Sequence, residues 1–545
     1  MSVNGCEMKG ANEGKSKGEA AASNLPTTPQ SLLFSCTSTT NSLTYTHMQT
    51  THNHRDENMP ADRPRASVQL LLCCCCCLFP STTMARPSAF LPLRGLPSRT
   101  HRPLLARLFA SSPATSTEKI ERSDLNVAVV GGGLAGLSTA WHLAGRVKSL
   151  TVYDPCPPGQ AEASAVAGGL LHPLTPKNRI IWSGLEGFKA TLRLVEASKA
   201  ALSHAGDERA ARRLHSAQGT ILRPALTPQH VLDYQAAAAR LPEWLEWLEG
   251  EEWQRRANCP GHGLLLRNSI VLSMPDYLRG LWLSLQQSHG STTHLTWEQR
   301  TFPSPSQAAA AAASTAAVAA AAYDVVVLAS GAGICAFPAL KDLPIELVKG
   351  RTLLVDQQGR EGEEGREEQL LGSALLCGEY VVPGVDMGRE GEEGREGGEE
   401  RRVLRCGSTK EYIEDPWGPN PKKEEGGEGE DKMNALREKA ERIYPPLKGG
   451  PAAYRITTGI RVATQRSNLG KLPILGRISL RGVEKGGKEA GEEGKTWLYT
   501  GLGGRGLIHH AFLGERLAEA IVKGEEMMLP SQVRAPLLKE KKKKE

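Results

Sequence analysis

The sequence lacks several motifs that would indicate a familiar chemistry. From residue 123 onward it contains no HExxH, no GxSxG and no P-loop of the form GxxxxGK[ST]. These absences argue against a zinc metalloprotease, an α/β-hydrolase nucleophile and a P-loop nucleotidase. Any catalysis in this part of the chain must therefore come from another arrangement or from a bound cofactor.

Paired cysteines and long apolar runs are also missing. The cysteines beyond the first 122 residues do not have CxxC spacing, so they predict neither a zinc site nor a disulfide framework. The apolar run ASVQLLLCCCCCLF is too short to anchor the chain across a bilayer. We therefore expect no metal and no membrane anchor in the mature protein. The isolated cysteines are Cys156, Cys259, Cys335, Cys377 and Cys406.

A glycine turn between apolar segments is the most informative motif that is present. In VAVVGGGLAGLSTAWHL, Val127–Val130 reads as a buried strand and Leu137–Ala144 as a helix, around a Gly-x-Gly-x-x-Gly turn. LTVYDP predicts a second strand that ends in Asp154, 21 residues after Gly133. Such a turn admits a pyrophosphate to a helix N-terminus, and the acid can accept hydrogen bonds from ribose hydroxyls. The pattern predicts a dinucleotide site for FAD or NAD.

Later segments favour FAD, because they resemble the D-amino-acid oxidase superfamily in the family's own order. These segments are GQAEASAVAGGLLHPLTP, YDVVVLASGAG, LVKGRTLLV, EYVVPG, GIRVATQRSNLGKLPILG and YTGLGGRGLIHHAFLGERLAEAI. The resemblance covers about residues 126–522, interrupted by insertions. The superfamily includes glycine and sarcosine oxidases. It implies the candidate cofactor residues Gly131, Gly133, Leu134, Ala135, Gly136, Asp154, Ser164, Gly168, Gly169, Leu170, Gly331, Gly501, Gly503, Gly504, Gly506 and Leu507.

The same resemblance implies candidate residues for a substrate. Arg461 occupies the place where amino-acid oxidases grip a substrate carboxylate, and Tyr380 matches a tyrosine that donates to that carboxylate. Arg505 is one place later than the arginine of glycine oxidases, so it faces either the flavin or the substrate. Arg461 also stands where tethering sarcosine oxidases have a cysteine, so we expect non-covalent FAD. Thr464-Gln465-Arg466 replaces the family's Thr-Pro-Asp, which puts identity with any one oxidase in doubt.

The resemblance implies an α/β chain with two interleaved domains. A Rossmann-like FAD-binding part would use residues 124–190, 273–342 and 453–524, within a domain that spans 124–525. An antiparallel-sheet substrate part would use residues 191–272 and 343–450. Low-complexity composition marks surface insertions, because such segments cannot bury a core. They are residues 308–322, 357–369, 387–402, 422–431 and 482–495, and a basic tail follows at 526–545.

Residues 1–122 read as a disordered targeting leader. The apolar run follows Arg63 and Arg65, as in a signal peptide, and a start at Met59 would give it a natural length. The next segment, from Met84, is rich in Arg and Ser and has no acid, like a transit peptide. SAFLP resembles the cleavage motif of precursors imported into secondary plastids. We expect a plastid location, and the alternative is a mitochondrial presequence that begins at Met84.

The predicted activity is oxidation of a C–N bond in a small amino acid or secondary amine, by hydride transfer to flavin. Oxygen or another acceptor would then reoxidise the flavin. One alternative is a tRNA wobble-uridine oxidase, because the oxidase domain of the bifunctional methylaminomethyl-thiouridine enzyme has a similar GxRGL loop. Scattered basic residues and the lack of a visible methyltransferase domain argue against nucleic acid as a partner. The other alternative is a flavin-binding protein without turnover.

Overall fold

The computed structural model describes ten segments of the chain, all within one unit that spans residues 97–545. The segments are residues 122–160, 162–215, 220–300, 322–337, 340–356, 371–386, 401–416, 428–450, 453–478 and 495–535. The predicted leader, apart from Arg122, and most of the predicted insertions lie outside them.

The predicted fold class, a two-domain α/β chain, is confirmed by one mainly parallel and one mainly antiparallel sheet. The strands are β1 Asn126–Val130, β2 Ser149–Asp154, β3 Leu170–Leu171, β4 Ile221–Pro224, β5 Leu245–Glu249, β6 His262–Leu266, β7 Ile270–Val271, β8 His294–Gln299, β9 Val325–Leu328, β10 Ile345–Asp356, β11 Ala374–Cys377, β12 Glu379–Asp386, β13 Arg401–Gly407, β14 Glu411–Ile413, β15 Ala453–Thr464, β16 Ile474–Ile478 and β17 Thr496–Thr500. The helices are α1 Leu134–Leu143, α2 Glu162–Ala165, α3 Gly184–His204, α4 Glu208–Arg213, α5 Pro228–Arg240, α6 Gly250–Ala257, α7 Met274–His289, α8 Glu428–Ile443 and α9 Gly506–Lys523.

The first sheet has the strand order β16-β17-β9-β1-β2-β8. All neighbours are parallel except β16 and β17. Parallel strands are covered on both faces, and residues 127–130 of β1 and all of β9 are accordingly continuous apolar runs. Helices α1, α3, α7 and α9 pack together on one face. Gly514 lets α9 approach α1 closely, since an added Cβ would come within 2.7 Å of Ser138 Oγ.

The second sheet has the strand order β14-β10-β13-β12-β11-β4-β6-β5, and β15 also pairs with β10. Its pairs are antiparallel except β4 with β11. Leu353 and Val355 on its outer face pack with Leu436 and Ala440 of α8. Because side chains alternate along a strand, Thr352 lies on the inner face, which carries the candidate substrate residues.

Some elements differ from the sequence-based boundaries. Strand β15 lies in the second sheet, although residues 453–464 were expected in the FAD-binding part. It pairs with β10 from Ile345 to Val355. Helix α3 continues beyond residue 190 and packs on α7 and α9, because one apolar stripe runs along its length. Residues 401–402 extend β13, residues 428–431 begin α8, and the start of the tail packs by Leu529 and Val533.

Candidate functional site

The glycine turn after β1 is tight because two of its glycines are required by the chain itself. Gly131 has a φ of +112°, and a Cβ there would overlap with the carbonyl of Ala329. A Cβ at Gly136 would overlap with the carbonyl of Gly131. Gly133 has an ordinary φ of −79°, and its Cβ would lie 2.9 Å from Ser164 Oγ. Replacement of Gly133 should therefore disturb the binding of a ligand at this turn more than it disturbs the fold.

Helix α1 begins with unpaired N–H groups. Gly133 is its N-cap and supplies no capping side chain, and its first turn has no acidic residue. The Leu134 N–H donates to Ser164 Oγ at 3.2 Å. Among the described residues, the N–H groups of Gly133, Ala135 and Gly136 have no acceptor. The positive end of the helix is thus open to an anion, which fits the pyrophosphate of FAD.

Asp154 ends β2 beside this turn and is 8% exposed. Its Oδ2 accepts the Gly132 N–H at 2.6 Å, and its Oδ1 accepts the Cys156 N–H at 2.8 Å. Burial raises the pKa of Asp154, and the two N–H donors oppose that rise. Each oxygen keeps a further lone pair for a ribose hydroxyl. Sequence reasoning missed Trp297 of β8, whose ring would overlap with a Cβ at Gly132.

A second helix begins next to α1. Helix α9 has no capping side chain and no acid in its first turn. A Cβ on Gly506 would lie 3.2 Å from Leu134 Cδ1, so the starts of the two helices are neighbours. Thr191 of α3 donates to the Leu507 carbonyl at 2.7 Å and holds this turn. Two positive helix ends therefore occur side by side, and the protein provides no acid to either first turn.

The loops after β9 and β17 adjoin these helix starts, because parallel strands end at a common edge. Gly331, Gly501 and Gly503 have positive φ values, which favour glycine. An added Cβ at Gly331 or Gly504 would meet no heavy atom within 4 Å. Ser330 Oγ and Thr500 Oγ1 are buried without a partner among the described residues. The open space at Gly331 and Gly504 leaves room for the edge of a flavin.

The loop after α2 connects the cofactor site to the second sheet. Gly169 has a φ of +72°, and a Cβ there would overlap with the Leu272 carbonyl. Leu170 then enters β3, which pairs with β7. A Cβ on Gly168 would lie 3.0 Å from the ring of Tyr380. The segment 162–170, called the flavin loop below because it carries the predicted cofactor residues Ser164, Gly168 and Gly169, is therefore in contact with the predicted substrate tyrosine.

Tyr380 is held on the inner face of the second sheet. Its hydroxyl lies 3.0 Å from Thr352 Oγ1, and a Cβ on Gly407 would come within 2.5 Å of its ring. Burial raises the pKa of Tyr380, while Thr352, Arg405 and Arg461 oppose the rise. The hydroxyl is thus protonated and can donate. Thr352 was missed as its partner, although strand alternation in RTLLV would have placed it on this face.

Arg461 lies on the same inner face. Gly459, two residues earlier, packs against Ala163 and Val166 of the flavin loop. Because alternate residues of a strand share a face, Arg461 lies on the same face as Gly459. Arg461 is half-buried, and within the described segments it has no hydrogen-bond or ion-pair partner. Burial lowers its pKa, and Tyr380 and Tyr412 oppose that effect. A carboxylate from a ligand would satisfy this charge.

Arg505 lies at the start of α9 rather than beside Tyr380. Its Nη1 would be 2.9 Å from a Cβ on Gly470, so its side chain covers the turn before β16. Burial and the nearby charge of Arg466 lower its pKa. It has no ion pair with any described residue. A role toward flavin or substrate stays a prediction.

None of the described helices is long and apolar enough to cross a membrane. Within the described part of the chain, no group of three His, Cys, Asp or Glu side chains could hold a metal ion.

The chain matches one family model and several solved structures. The family model described as FAD dependent oxidoreductase (DAO) matches residues 126–520. The solved glycine oxidase from Geobacillus kaustophilus is 19% identical, with a TM-score of 0.48, over 76% of this chain and 98% of that one. Iminodiacetate oxidase from Chelativorans sp. BNC1 is 16% identical, with a TM-score of 0.48, over 75% and 98%. L-proline dehydrogenase from P. horikoshii is 15% identical, with a TM-score of 0.46, over 74% and 94%. The comparison with curated proteins found no match.

Proposed function

Because the chain belongs to the DAO family of FAD-dependent oxidoreductases, we propose that it oxidises a C–N bond in a small amino acid or secondary amine. FAD would be held without a covalent bond by the glycine turn, Asp154 and the starts of α1 and α9. Bound FAD would supply the hydride acceptor. The protein would bind and orient the substrate and exclude water.

Arg461 carries the proposal, because it is a half-buried cation for which the described residues provide no counter-ion. A guanidinium can pair with both oxygens of a carboxylate. The protonated hydroxyl of Tyr380 can donate to the same group. With the carboxylate held by two groups, the position of the α-carbon above the inner face would be fixed. If the amine is neutral when hydride leaves, no protein base is needed, and none is assigned.

Replacement of Arg461 by Ala tests the carboxylate anchor directly. Loss of one partner of a buried charge pair costs roughly 2–5 kcal/mol, which corresponds to about 30- to several-thousand-fold in kcat/KM. We expect that loss for amino acids, whereas amines without a carboxylate should be poor substrates that the change scarcely affects. Arg461→Lys should recover only part of the loss, because an ammonium cannot form the bidentate pair. The measurement is the anaerobic rate of flavin reduction.

Arg402→Ala is a matched control, because Arg402 is an exposed arginine at the far end of β13. Both variants should keep their FAD. Equal losses for acids and amines would make Arg461 structural. Specific retention of tRNA on a gel, with no reduction by amino acids, would favour the wobble-uridine oxidase instead. No reduction by any amine would favour a flavin-binding protein without turnover.

A further inference from the structure

A second cation on the inner face of the second sheet is almost completely buried. Arg223 of β4 is 3% exposed. Its Nη1 donates to the Thr175 carbonyl at 2.9 Å and to Asn178 Oδ1. Its Nε and Nη2 have no acceptor among the described residues, and no described carboxylate pairs with it. Buried arginines are rarely without an anion, because desolvation of a lone charge is costly.

Strand register places Arg223 on the face that carries Tyr380. Leu222 pairs with Leu375 in the parallel pair β4 and β11, so Arg223 lies beside Leu376. Leu376 pairs in turn with Tyr380 across β11 and β12. Neighbouring strands are about 4.8 Å apart, so the Arg223 backbone is roughly 10 Å from that of Tyr380. Leu222 packs in the outer core, which confirms that Arg223 points inward.

His172 adds a second donor beside Arg223. It follows β3, in the loop that Arg223 holds through Thr175 and Asn178. Its Nδ1 accepts the Leu174 N–H at 3.2 Å, so the proton of the neutral ring is on Nε2. Burial and the charge of Arg223 lower its pKa to about 3, and the ring is neutral at ordinary pH. Nε2 has no acceptor among the described residues.

We propose that Arg223 and His172 bind a second anionic group of the substrate, which would therefore be a dicarboxylic amino or imino acid. This inference rests on the proposed amine oxidation, with Arg461 holding the first carboxylate. Nε and Nη2 of Arg223 present the side of a guanidinium that pairs with both oxygens of a carboxylate. A neutral side chain of the same size would leave this buried cation without a counter-ion. The site would thus select acidic substrates over their amides.

The test compares acids with neutral analogues of similar size in anaerobic flavin reduction. Substrate pairs are aspartate with asparagine, glutamate with glutamine, and 2-aminoadipate with norleucine, each as both enantiomers. We expect at least one acid to be preferred by the native holoenzyme. In Arg223→Gln the acid-to-neutral ratio of kcat/KM should fall by about 10- to 100-fold, the effect of one charge-assisted contact. Arg223→Lys should recover part of it.

Asn178→Gly is the matched control, because Asn178 has a φ of +53° that glycine adopts readily. This substitution removes a hydrogen-bond partner of Arg223 but keeps the charge of the Arg223 guanidinium. The preference for acidic over neutral substrates should therefore persist. Equal rates on acid and neutral substrates in the native enzyme would overturn the proposal. So would parallel losses on both substrates in Arg223→Gln and Asn178→Gly, because Arg223 would then only hold the loop.

A binding measurement separates this inference from the proposed oxidation and does not depend on Arg223→Gln folding. Dissociation constants for glutarate and butyrate follow from the change in flavin absorbance of the native holoenzyme and of Arg223→Lys. Tighter binding of glutarate, weakened in Arg223→Lys, would support the second anion subsite even if no amino acid reduced the flavin. Equal affinity for the two acids would overturn the subsite even if amino acids were oxidised.

Discussion

The imidazole of His510 makes a pH-dependent contribution to stability that can be worked out from its contacts. The side chain is 0% exposed in α9, next to the turn that begins this helix. Nδ1 lies 3.2 Å from the carbonyls of both Gly506 and Leu507, so it donates. Nε2 lies 2.7 Å from Tyr277 Oη and must accept from that hydroxyl. The folded state therefore holds the ring neutral.

Burial lowers the pKa of His510 to about 4, although the two carbonyls oppose the shift. In the unfolded chain the ring binds a proton near pH 6.5. The unfolded state thus binds more protons between these values, and stability falls as the pH falls through that window. At 1.36 kcal/mol per pH unit, the contribution of this one ring should decrease by about 2 kcal/mol between pH 7 and pH 4.5.

His510→Gln removes the titration but leaves an amide that can still meet Tyr277. Urea unfolding of both proteins at the same FAD concentration, monitored by tryptophan fluorescence, gives the free energy of unfolding from pH 7 to pH 4.5. When the free energy of unfolding of one protein is subtracted from that of the other, the contribution of FAD binding cancels to first order. We expect the variant to lose about 2 kcal/mol less than the native protein over this range. Identical pH dependence in the two proteins would refute the assignment of a neutral buried ring.

Three further predictions concern the cofactor, an insertion and the leader. Gly133→Val should lose FAD, whereas Gly372→Ala should keep it, because an added Cβ at Gly372 meets no atom within 4 Å. Acid or heat should release intact FAD from the native protein. A fully yellow Gly133→Val protein would contradict the first expectation, and flavin that stays with the precipitated chain would contradict the second. Deletion of residues 388–400 should leave FAD content and turnover nearly unchanged, since each doubling of loop length costs only about 0.6 kcal/mol, and a large loss of activity would make the segment a lid or a partner site. A reporter fused after residues 59–125 should enter the plastid unless Phe90 is changed, and import into mitochondria would instead favour a start at Met84.

Segments with a strong local pattern could be predicted from the sequence. The apolar run Val127–Val130 is a strand and the glycines after it turn into a helix, because both need only local chemistry. The segment EWLEWLEG shows where local patterns mislead, because its apolar residues have helical spacing and yet it contains strand β5, which pairs with β6. Trp244 is buried and packs edge-on against Phe188. Pairing with a neighbouring strand, and not the spacing of its apolar residues, determined the secondary structure of this segment.

The cofactor side of the site was easier to predict than the substrate side. Asp154 and the glycines depend on a short loop whose spacing is visible in the sequence. The neighbours of Tyr380 depend on register across separate strands, and a shift of one residue would reverse every inner and outer position. Thr352 and Arg223 are 28 and 157 residues from Tyr380 in the sequence, and only the pairing of β10, β12 and β4 within one sheet brings them to the same face.

Close approach of the backbone gives the proposed substrate anchors, Tyr380 and Arg461, a fixed position relative to the flavin loop. Gly168 lies against the ring of Tyr380, and a Cβ on Gly459 would lie 2.7 Å from Val166 Cγ2 and 2.9 Å from Ala163 Cα. These contacts leave no room for a side chain between the flavin loop and β15. Arg461 follows Gly459 by two residues on a paired strand, so its distance from the loop is set by backbone packing. Geometry held in this way before the substrate arrives lowers the entropic cost of orienting the reacting carbon, so Gly168 and Gly459 contribute to the proposed chemistry in addition to the glycines of the dinucleotide turn.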